Sequence, residues 1–280
     1  MPDHIAVALL SLSAAITWGA GDFSGGIAAR RADVFGVVAF AHGAGLVVML
    51  ALARIWGETW PGLHEFLWAA AAGISNGIAI AAFYRALAIS KMGITAPIAA
   101  VITAMLPVIV GSAREGLPGP FQLAGFVLAL IAIWMIAKPE AGDGRARGIG
   151  LAILAGLGFS GYLVLIRYGG STSAFMPVAL ARLSSLLLMS IIILRNRRSW
   201  LPAPRPMWIA LTAGIFDAVG GGFFLLAAQR GRLDVAAVLS SLYPASTVLL
   251  ARIFLKEQLT MIQKIGITGA LIAVPVIAAK

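Results

Sequence analysis

The sequence contains no cysteine and only three histidines among its 280 residues. The absence of cysteine excludes disulfide bonds, thiolate catalysis and cysteine-ligated metals. The three histidines, His4, His42 and His64, are dispersed and lack the HxxxH or HExxH spacing of metal ligands. We therefore expect no metal site and no cofactor.

Charged residues are also scarce. They make up 11% of the chain, against about 25% in a typical soluble domain, while 60% of the residues are hydrophobic. A surface with so little charge would aggregate in water, so the composition indicates that lipid is the solvent. The basic residues, which give a net charge of +10, stand singly between apolar runs. They form no stripe for a nucleic acid, and we interpret them as loop charges facing an anionic leaflet.

Long apolar runs are what the sequence has in abundance. A helix needs about 20 apolar residues to cross a bilayer core of about 30 Å. Ten runs of this kind can be recognised: Ile5–Ala29, Val34–Ala53, Phe66–Tyr84, Met92–Ala113, Pro120–Ala137, Ile149–Ile166, Phe175–Leu194, Met207–Ala228, Val235–Ala251 and Ile265–Ala279, the last beginning near Met261. The sequence thus predicts an all-α, multi-pass protein of a bacterial-type inner (plasma) membrane.

The two halves of the chain match each other at one fixed offset. A shift of 141 residues places Trp18 on Phe159, Gly73 on Gly214, Asn76 on Asp217, Gln122 on Gln263 and Gly125 on Gly266. We therefore predict a first repeat at 1–140 and a second at 141–280. Because five spans is an odd number, the second repeat enters the membrane from the opposite side, so the halves are inverted repeats. Substrate sites in such folds lie near the midplane, between the halves.

The first half contains the segments TWGAGDFSGGIAARR (17–31) and YRALAISKMGITAPIAAVITAMLPVIVG (84–111). Together with two segments of the second half, they resemble the EamA-type branch of the drug/metabolite transporter (DMT) superfamily. Those of the second half are LLAAQRGRLDVAAVLSSLYPASTVLLARIFLKEQLT (225–260) and GITGALIAV (266–274), with Glu257 thirteen residues after Pro244. The first half departs from this pattern, because Glu115 follows Pro107 by only eight residues. The resemblance implies a ten-helix fold with a central cavity and efflux of amino acids, related metabolites or toxic compounds.

A secondary transporter is therefore the leading functional hypothesis. The sequence has no GxxxxGK[ST] nucleotide loop, so alternating access would be driven by a substrate gradient or by a coupled proton or ion. A membrane-embedded enzyme is an alternative, but it would need a nucleophile–base set or clustered acids, and we find no paired-aspartate motif or histidine cluster. A structural subunit or receptor is a third alternative. The expected partners are a small-molecule substrate and the bilayer, with the protein a monomer or homodimer.

Three charged residues lie well inside apolar runs: Asp22, Arg182 and Asp217. Each costs about 2.5–3.5 kcal/mol at a helix centre unless it faces a partner or water. We predict a substrate cavity between the halves, lined by Trp18, Asp22, Asn76, Arg182, Asp217 and Tyr243. Candidate proton carriers are Asp22, His42 and Asp217. The alternative for Arg182 and Asp217 is a structural ion pair, and for His42 a hydrogen bond to a neighbouring helix.

Aromatic residues and prolines complete the candidates. Trp18 and Tyr243 are deep enough to stack on a substrate, whereas Tyr84, next to Arg85, fits the membrane interface. Phe159 and Tyr162 are further aromatic candidates. Proline removes a backbone donor and bends a helix, so we predict hinges or kinks at Pro97, Pro107 and Pro244. Ser240 and Thr247 share a face with Pro244, which indicates either a cavity wall or ordinary packing.

Loop charge predicts the orientation. The odd-numbered loops carry 14 basic residues: Arg30, Arg31, Arg85, Lys91, Lys138, Arg145, Arg147, Arg195, Arg197, Arg198, Arg205, Arg252, Lys256 and Lys264. The even-numbered loops and the termini carry 6: Arg54, Arg114, Arg167, Arg230, Arg232 and Lys280. Basic loops are retained in the cytoplasm, so both termini are expected outside.

A reporter fused to the C-terminus tests this orientation. A protein that fluoresces only in the cytoplasm should remain dark when it is fused after Lys280, because the charge asymmetry places that end outside. Cell fluorescence normalised to the amount of fusion protein is the measurement. A bright fusion would show that loop charge does not set the orientation of this chain.

Overall fold

The computed structural model describes residues 3–90, 92–137, 148–170, 173–197, 204–256 and 260–278. Within these ranges the chain forms eleven helices: α1 (Asp3–Ala29), α2 (Val34–Ile55), α3 (Leu63–Ile89), α4 (Met92–Glu115), α5 (Pro120–Ala137), α6 (Ile149–Gly169), α7 (Phe175–Arg195), α8 (Pro204–Arg230), α9 (Leu233–Ser240), α10 (Tyr243–Leu255) and α11 (Met261–Ala278). The predicted repeat boundary at 140/141 and Glu257 lie outside the described residues.

These helices provide ten apolar spans. In the described part of the chain, nine segments are long and apolar enough to cross a membrane, and α5 is a shorter apolar helix. One of the nine, Leu233–Leu255, consists of α9 followed by α10. The prediction of an all-helical fold with ten spans is confirmed. The observed helices extend beyond several predicted runs; α3, for example, begins at Leu63 and ends at Ile89.

Large and small apolar residues occupy different positions in the spans. Exposed side chains include Ile16, Val47, Ile109 and Leu271, each at least half exposed. The interior is rich in alanine and glycine instead. Small residues let helices approach closely, and van der Waals packing of this kind holds membrane helices together where lipid offers no hydrophobic driving force. The outer surface therefore matches a hydrocarbon solvent.

The ninth span is interrupted rather than kinked. Helix α9 ends at Ser240, a turn covers Ser241 and Leu242, and α10 begins at Tyr243 with Pro244 in its first turn. Proline has no N–H to donate to the carbonyl of Ser240, and its ring is well suited to the first turn of a new helix. Of the other predicted kinks, Pro97 and Pro107 both lie inside the continuous helix α4, and α11 contains a further proline, Pro275.

Contacts between the halves are reciprocal. Helix α1 packs on α8 and α3 packs on α6; likewise α2 packs on α8 and α3 on α7. At two of these crossings a glycine lies directly against backbone of the other half: Gly73 on the carbonyl of Ala181, and Gly214 on that of Ala41. Helices α5 and α11 repeat the arrangement, with Gly125 against Ile277 and Gly266 against Ile136. A twofold relation between two five-span halves requires this exchange of partners.

Substitution of the crossing glycines should destabilise the fold. A Cβ at Gly214 would overlap the backbone of Ala41, and one at Gly73 would overlap that of Ala181. We expect Gly73→Ala and Gly214→Ala each to lose about 1–3 kcal/mol, because the helices must move apart. Gly43→Ala is the matched control, since a Cβ there meets nothing within 4 Å. Melting temperature in detergent is the measurement, and equal melting of all three variants would contradict the close crossings.

Candidate functional site

A cavity lies between the two halves. It contains about 350 Å³ of empty space, of which about 30 Å³ can hold the centres of water molecules. That is room for about two waters, so the cavity is narrow in this conformation. Six helices, α1, α3, α4, α6, α8 and α10, contribute its lining, which consists of Trp18, Asp22, Asn76, Ile80, Thr103, Phe159, Tyr162, Leu163, Asp217 and Tyr243.

Five of the six predicted site residues therefore surround one space, and Arg182 lies behind it. Arg182 is fully buried on α7, and its Nη1 lies 2.7 Å from Oδ2 of Asp217. Its Nη2 donates a hydrogen bond of 3.3 Å to the backbone carbonyl of Asp217. The guanidinium carbon also lies 5.8 Å from the ring centre of Tyr162. Arg182 and Asp217 thus form the ion pair that was the alternative to substrate binding.

His42 completes this buried cluster. Its Nε2 is 3.3 Å from Nη1 of Arg182 and 3.4 Å from Oδ2 of Asp217. Its Nδ1 is hydrogen-bonded to the hydroxyl of Ser185 on α7. His42 does not line the cavity, and all its polar contacts go to neighbouring helices. The hydrogen-bonding interpretation of this residue therefore fits the geometry directly.

Trp18 connects the first half to the same cluster. Its Nε1 donates a hydrogen bond of 3.1 Å to the backbone carbonyl of Asp217, and its ring lies 5.8 Å from that of Phe224. Gly220, one turn along α8, makes room for the indole. The carbonyl of Asp217 consequently accepts from both Trp18 and Arg182, which come from different halves.

Three polar groups on the lining have no partner. Asp22 is 6% exposed, and within the described residues its carboxylate makes no hydrogen bond or ion pair. The side-chain nitrogen of Asn76 and the hydroxyl of Tyr162 are likewise buried without a hydrogen bond. Buried polar groups are nearly always satisfied, so a cluster of exceptions in one cavity needs an explanation.

Sequence reasoning missed several lining residues. Ile80 and Leu163 carry no signal in an apolar run, but Thr103 could have been found, since the 141-residue shift places it on Pro244.

Aromatic rings cover another part of the wall. The ring of Phe83 makes edge contacts with those of Phe159, at 5.4 Å, and Tyr243, at 6.1 Å.

Other candidates lie elsewhere. Tyr84 is fully buried against Gly25, so the prediction that it lies at the membrane interface is wrong. Ser240 and Thr247 donate to backbone carbonyls of Ser11 and Gly19 on α1, which is packing rather than a cavity wall.

One serine stands in a GxSxG pentapeptide, Gly73–Gly77, of the kind that carries a hydrolase nucleophile. In such enzymes the serine sits on a sharp turn between a strand and a helix. Here Ser75 lies in the middle of α3 and its hydroxyl donates a hydrogen bond of 2.7 Å to the carbonyl of Gly158. The pentapeptide is a helix-packing motif in this protein.

The two faces of the protein differ. On the face with the even-numbered loops, the Glu58 carboxylate accepts hydrogen bonds of 2.7–3.1 Å from the backbone N–H groups of Ala174, Phe175 and Met176 at the start of α7. The Phe175 ring packs 5.2 Å from that of Trp56. On the same face, Arg232 donates to the backbone carbonyls of Glu115 and Gly116 and to the buried Asp234.

The opposite face has an open groove. Ends of α2, α3, α6 and α7 line about 1000 Å³ of space there, with Asp33, Phe35, Arg85, Leu151 and Ile192 among the lining residues. The repeat relates this groove to the region where Phe175 packs, because a shift of 140 residues places Phe35 on Phe175. The repeat thus places equivalent phenylalanines at this groove and at the start of α7 on the opposite face.

Comparison with known proteins identifies the second half. Residues 146–279 match the model of the EamA-like transporter family. This half of the chain belongs to that family. The EamA-like match confirms the predicted resemblance, and with the many apolar helices it makes the chain a multi-pass membrane protein.

Two further similarities were found. "Uncharacterized protein MJ1333.1" of Methanocaldococcus jannaschii is 27% identical over 123 residues, which cover 41% of this chain and 90% of that protein. A solved structure, described as "Crystal structure of protein", matches with a TM-score of 0.73 at 19% identity, over 96% of this chain and 95% of that one. The second similarity shows that both halves of this chain share the fold of that structure.

The ion pair should be essential for folding. Arg182→Ala would leave Asp217 buried without its partner, which typically costs about 3–5 kcal/mol, so expression and melting temperature should fall. The reversed pair, Arg182→Asp with Asp217→Arg, should recover part of this loss. Arg54→Ala is the control, because Arg54 is exposed. If Arg182→Ala melts like the control, the pair is not structural.

Proposed function

We propose that the protein is a secondary transporter that exports amino acids, related small metabolites or toxic compounds by alternating access in a bacterial-type inner membrane. The observation that carries this proposal is the cavity enclosed between the halves, with polar residues from both halves on its wall. Membership of the second half in a family of transporters supports the same conclusion. The protein acts as a monomer or a homodimer in this proposal.

The difference between the two faces supports alternating access. Inverted repeats have two packings of nearly equal energy, and exchanging them opens one face as the other closes. Here Glu58, in the loop between α2 and α3, binds the start of α7 on the even-loop face, while an open groove of about 1000 Å³ lies between the ends of α2, α3, α6 and α7 on the odd-loop face. This is the asymmetry expected of one end state. In the orientation that we predict from loop charge, this groove lies on the cytoplasmic face, and we propose that the conformation is an inward-facing state.

The buried charges suggest separate roles. A free guanidinium could bind a substrate carboxylate, but that of Arg182 is engaged by Asp217 and His42. We therefore assign Arg182 to positioning Asp217 rather than to contacting substrate. Of the candidate carriers for a coupled proton, His42 and Asp217 belong to this cluster, while Asp22 has no partner in it. Asp22 is thus the carrier best placed to exchange with the cavity.

Purified protein in liposomes tests the function. Vesicles that contain only this chain should exchange small solutes with their surroundings, and overexpressing cells should export a metabolite or resist a toxic compound. Protein-free vesicles and the surface variant Arg54→Ala are the controls. The variant Gly214→Ala is not suitable, because it is expected to destabilise the fold. If a broad solute panel shows no flux above protein-free vesicles, the transport proposal fails.

The Glu58 contact should control access from the even-loop face. Glu58→Ala removes the acceptor of three N–H groups at the start of α7, so the cavity should open to that side more often. Because the chain has no cysteine, Thr103→Cys places a unique thiol on the cavity wall. An impermeant maleimide added on the even-loop side should label this thiol several-fold faster with Glu58→Ala than without it.

The matched control for this experiment is Glu65→Gln, which alters an acidic residue at the start of α3 on the same face. Labelling from the odd-loop side should not increase in the Glu58 variant. Equal rates from the even-loop side in all variants would contradict a closing role for Glu58.

A further inference from the structure

Asp22 is the one acidic residue of the cavity that nothing in the described residues neutralises. The other lining carboxylate, Asp217, lies 2.7 Å from Arg182 and within reach of His42. Among the residues that the structure describes, no lysine or arginine lines the cavity. The cavity therefore carries one uncompensated negative charge when Asp22 is ionised. A buried carboxylate without a partner is costly, so a positive ligand would be held strongly.

The rest of the wall favours an organic cation over an inorganic ion. Trp18, Phe159, Tyr162 and Tyr243 place four aromatic rings on the lining. Aromatic faces attract ammonium groups, and Arg182 already makes such a contact with Tyr162 at 5.8 Å. Hard metal ions need several oxygen ligands. Within the described residues, no group of three or more acidic or histidine side chains could supply them.

The unpartnered donors indicate what else the ligand carries. The side-chain nitrogen of Asn76 and the hydroxyl of Tyr162 both lack a hydrogen-bond acceptor. A neutral oxygen on the ligand, such as a hydroxyl or carbonyl, would satisfy them without adding charge. A carboxylate would also accept these bonds, but it would face Asp22 and Asp217 with no free cation to offset the repulsion.

We propose that the cavity selects organic monocations, in which a protonated amine on an aromatic or apolar body pairs with Asp22. This inference rests on the transport function proposed above and narrows its substrate class from amino acids and related compounds to amines and other organic cations. Anions are rejected, and zwitterions bind less well than the corresponding amines because their carboxylate gains no partner. Asp22 is the counter-ion, and the aromatic rings contact the body of the ligand.

Three probes with the same phenyl body but different charge test the proposal. They are 2-phenylethylammonium, a cation; phenylalanine, a zwitterion; and 3-phenylpropionate, an anion. Uptake into proteoliposomes is measured alongside binding, the latter from the shift in melting temperature. The wild-type protein should take up the cation at least about tenfold faster than either other probe, since the anion offers no ammonium to Asp22 and the zwitterion brings a carboxylate that gains no partner.

The variants separate recognition from folding. Asp22→Asn should lower uptake and binding of 2-phenylethylammonium by at least about tenfold, and Asp22→Glu should restore part of both. Without probe, Asp22→Asn should melt no lower than wild type, because it removes an uncompensated buried charge. Asp3→Asn removes one negative charge from an exposed position and should behave like wild type.

Each outcome decides the proposal. Equal or faster uptake of phenylalanine or 3-phenylpropionate overturns cation selectivity but leaves transport intact. Undiminished cation uptake by Asp22→Asn overturns the role of Asp22. If none of the probes is taken up and none shifts the melting temperature, the cation proposal is overturned; the transport proposal then depends on the broader solute panel described above.

Discussion

The buried polar contacts between the two halves that centre on His42 and Trp18 depend on one interaction, the ion pair between Arg182 and Asp217 of the second half. Both residues are almost inaccessible to solvent, and their contacts reach four helices: α7 and α8 carry the pair, α2 adds His42 and α1 adds Trp18. In a hydrocarbon solvent neither charge could be exposed or left alone. Satisfying both therefore fixes how α1 and α2 of the first half lie against α7 and α8 of the second.

This interaction also breaks the symmetry of the repeat. The 141-residue shift places Asn76 on Asp217, and in α2 and α7 a shift of 140 places His42 on Arg182. The first half thus carries an asparagine and a histidine where the second carries the ion pair. Of these four residues, Asp217 and Asn76 line the cavity, whereas His42 and Arg182 lie behind Asp217. The result is a cavity whose polarity is uneven, with Asp22 of the first half as its unmatched charge.

The number of spans and the central residues followed from the sequence because both rest on the cost of exposing polarity to lipid. Hydropathy located ten spans. The free-energy cost of placing a charge in lipid predicted that Asp22, Arg182 and Asp217 face the protein interior. It could not say which helix each charge faces, because spans that are apolar all round do not reveal their rotation. For that reason Tyr84 was misplaced at the interface, and Arg182 was predicted on the cavity wall although it lies behind Asp217. The sequence also could not predict that the ninth span is interrupted before Pro244. A proline alone does not indicate a break, since α4 stays continuous through Pro97 and Pro107.

The half-length relative gives this asymmetry a physical context. The match covers 90% of that protein but only 41% of this chain, so it is about the size of one five-span half. Two identical copies of such a unit would necessarily place the same residue at both related positions. An Arg–Asp pair at the interface would then appear twice, and so would any unpaired carboxylate. The two halves of a single chain can carry different residues at related positions. They can keep the reciprocal glycine crossings that hold the fold, while one half retains a charged residue that the other half lacks. The single pair and the single unmatched Asp22 found in the described residues are an arrangement that two identical half-length chains could not form.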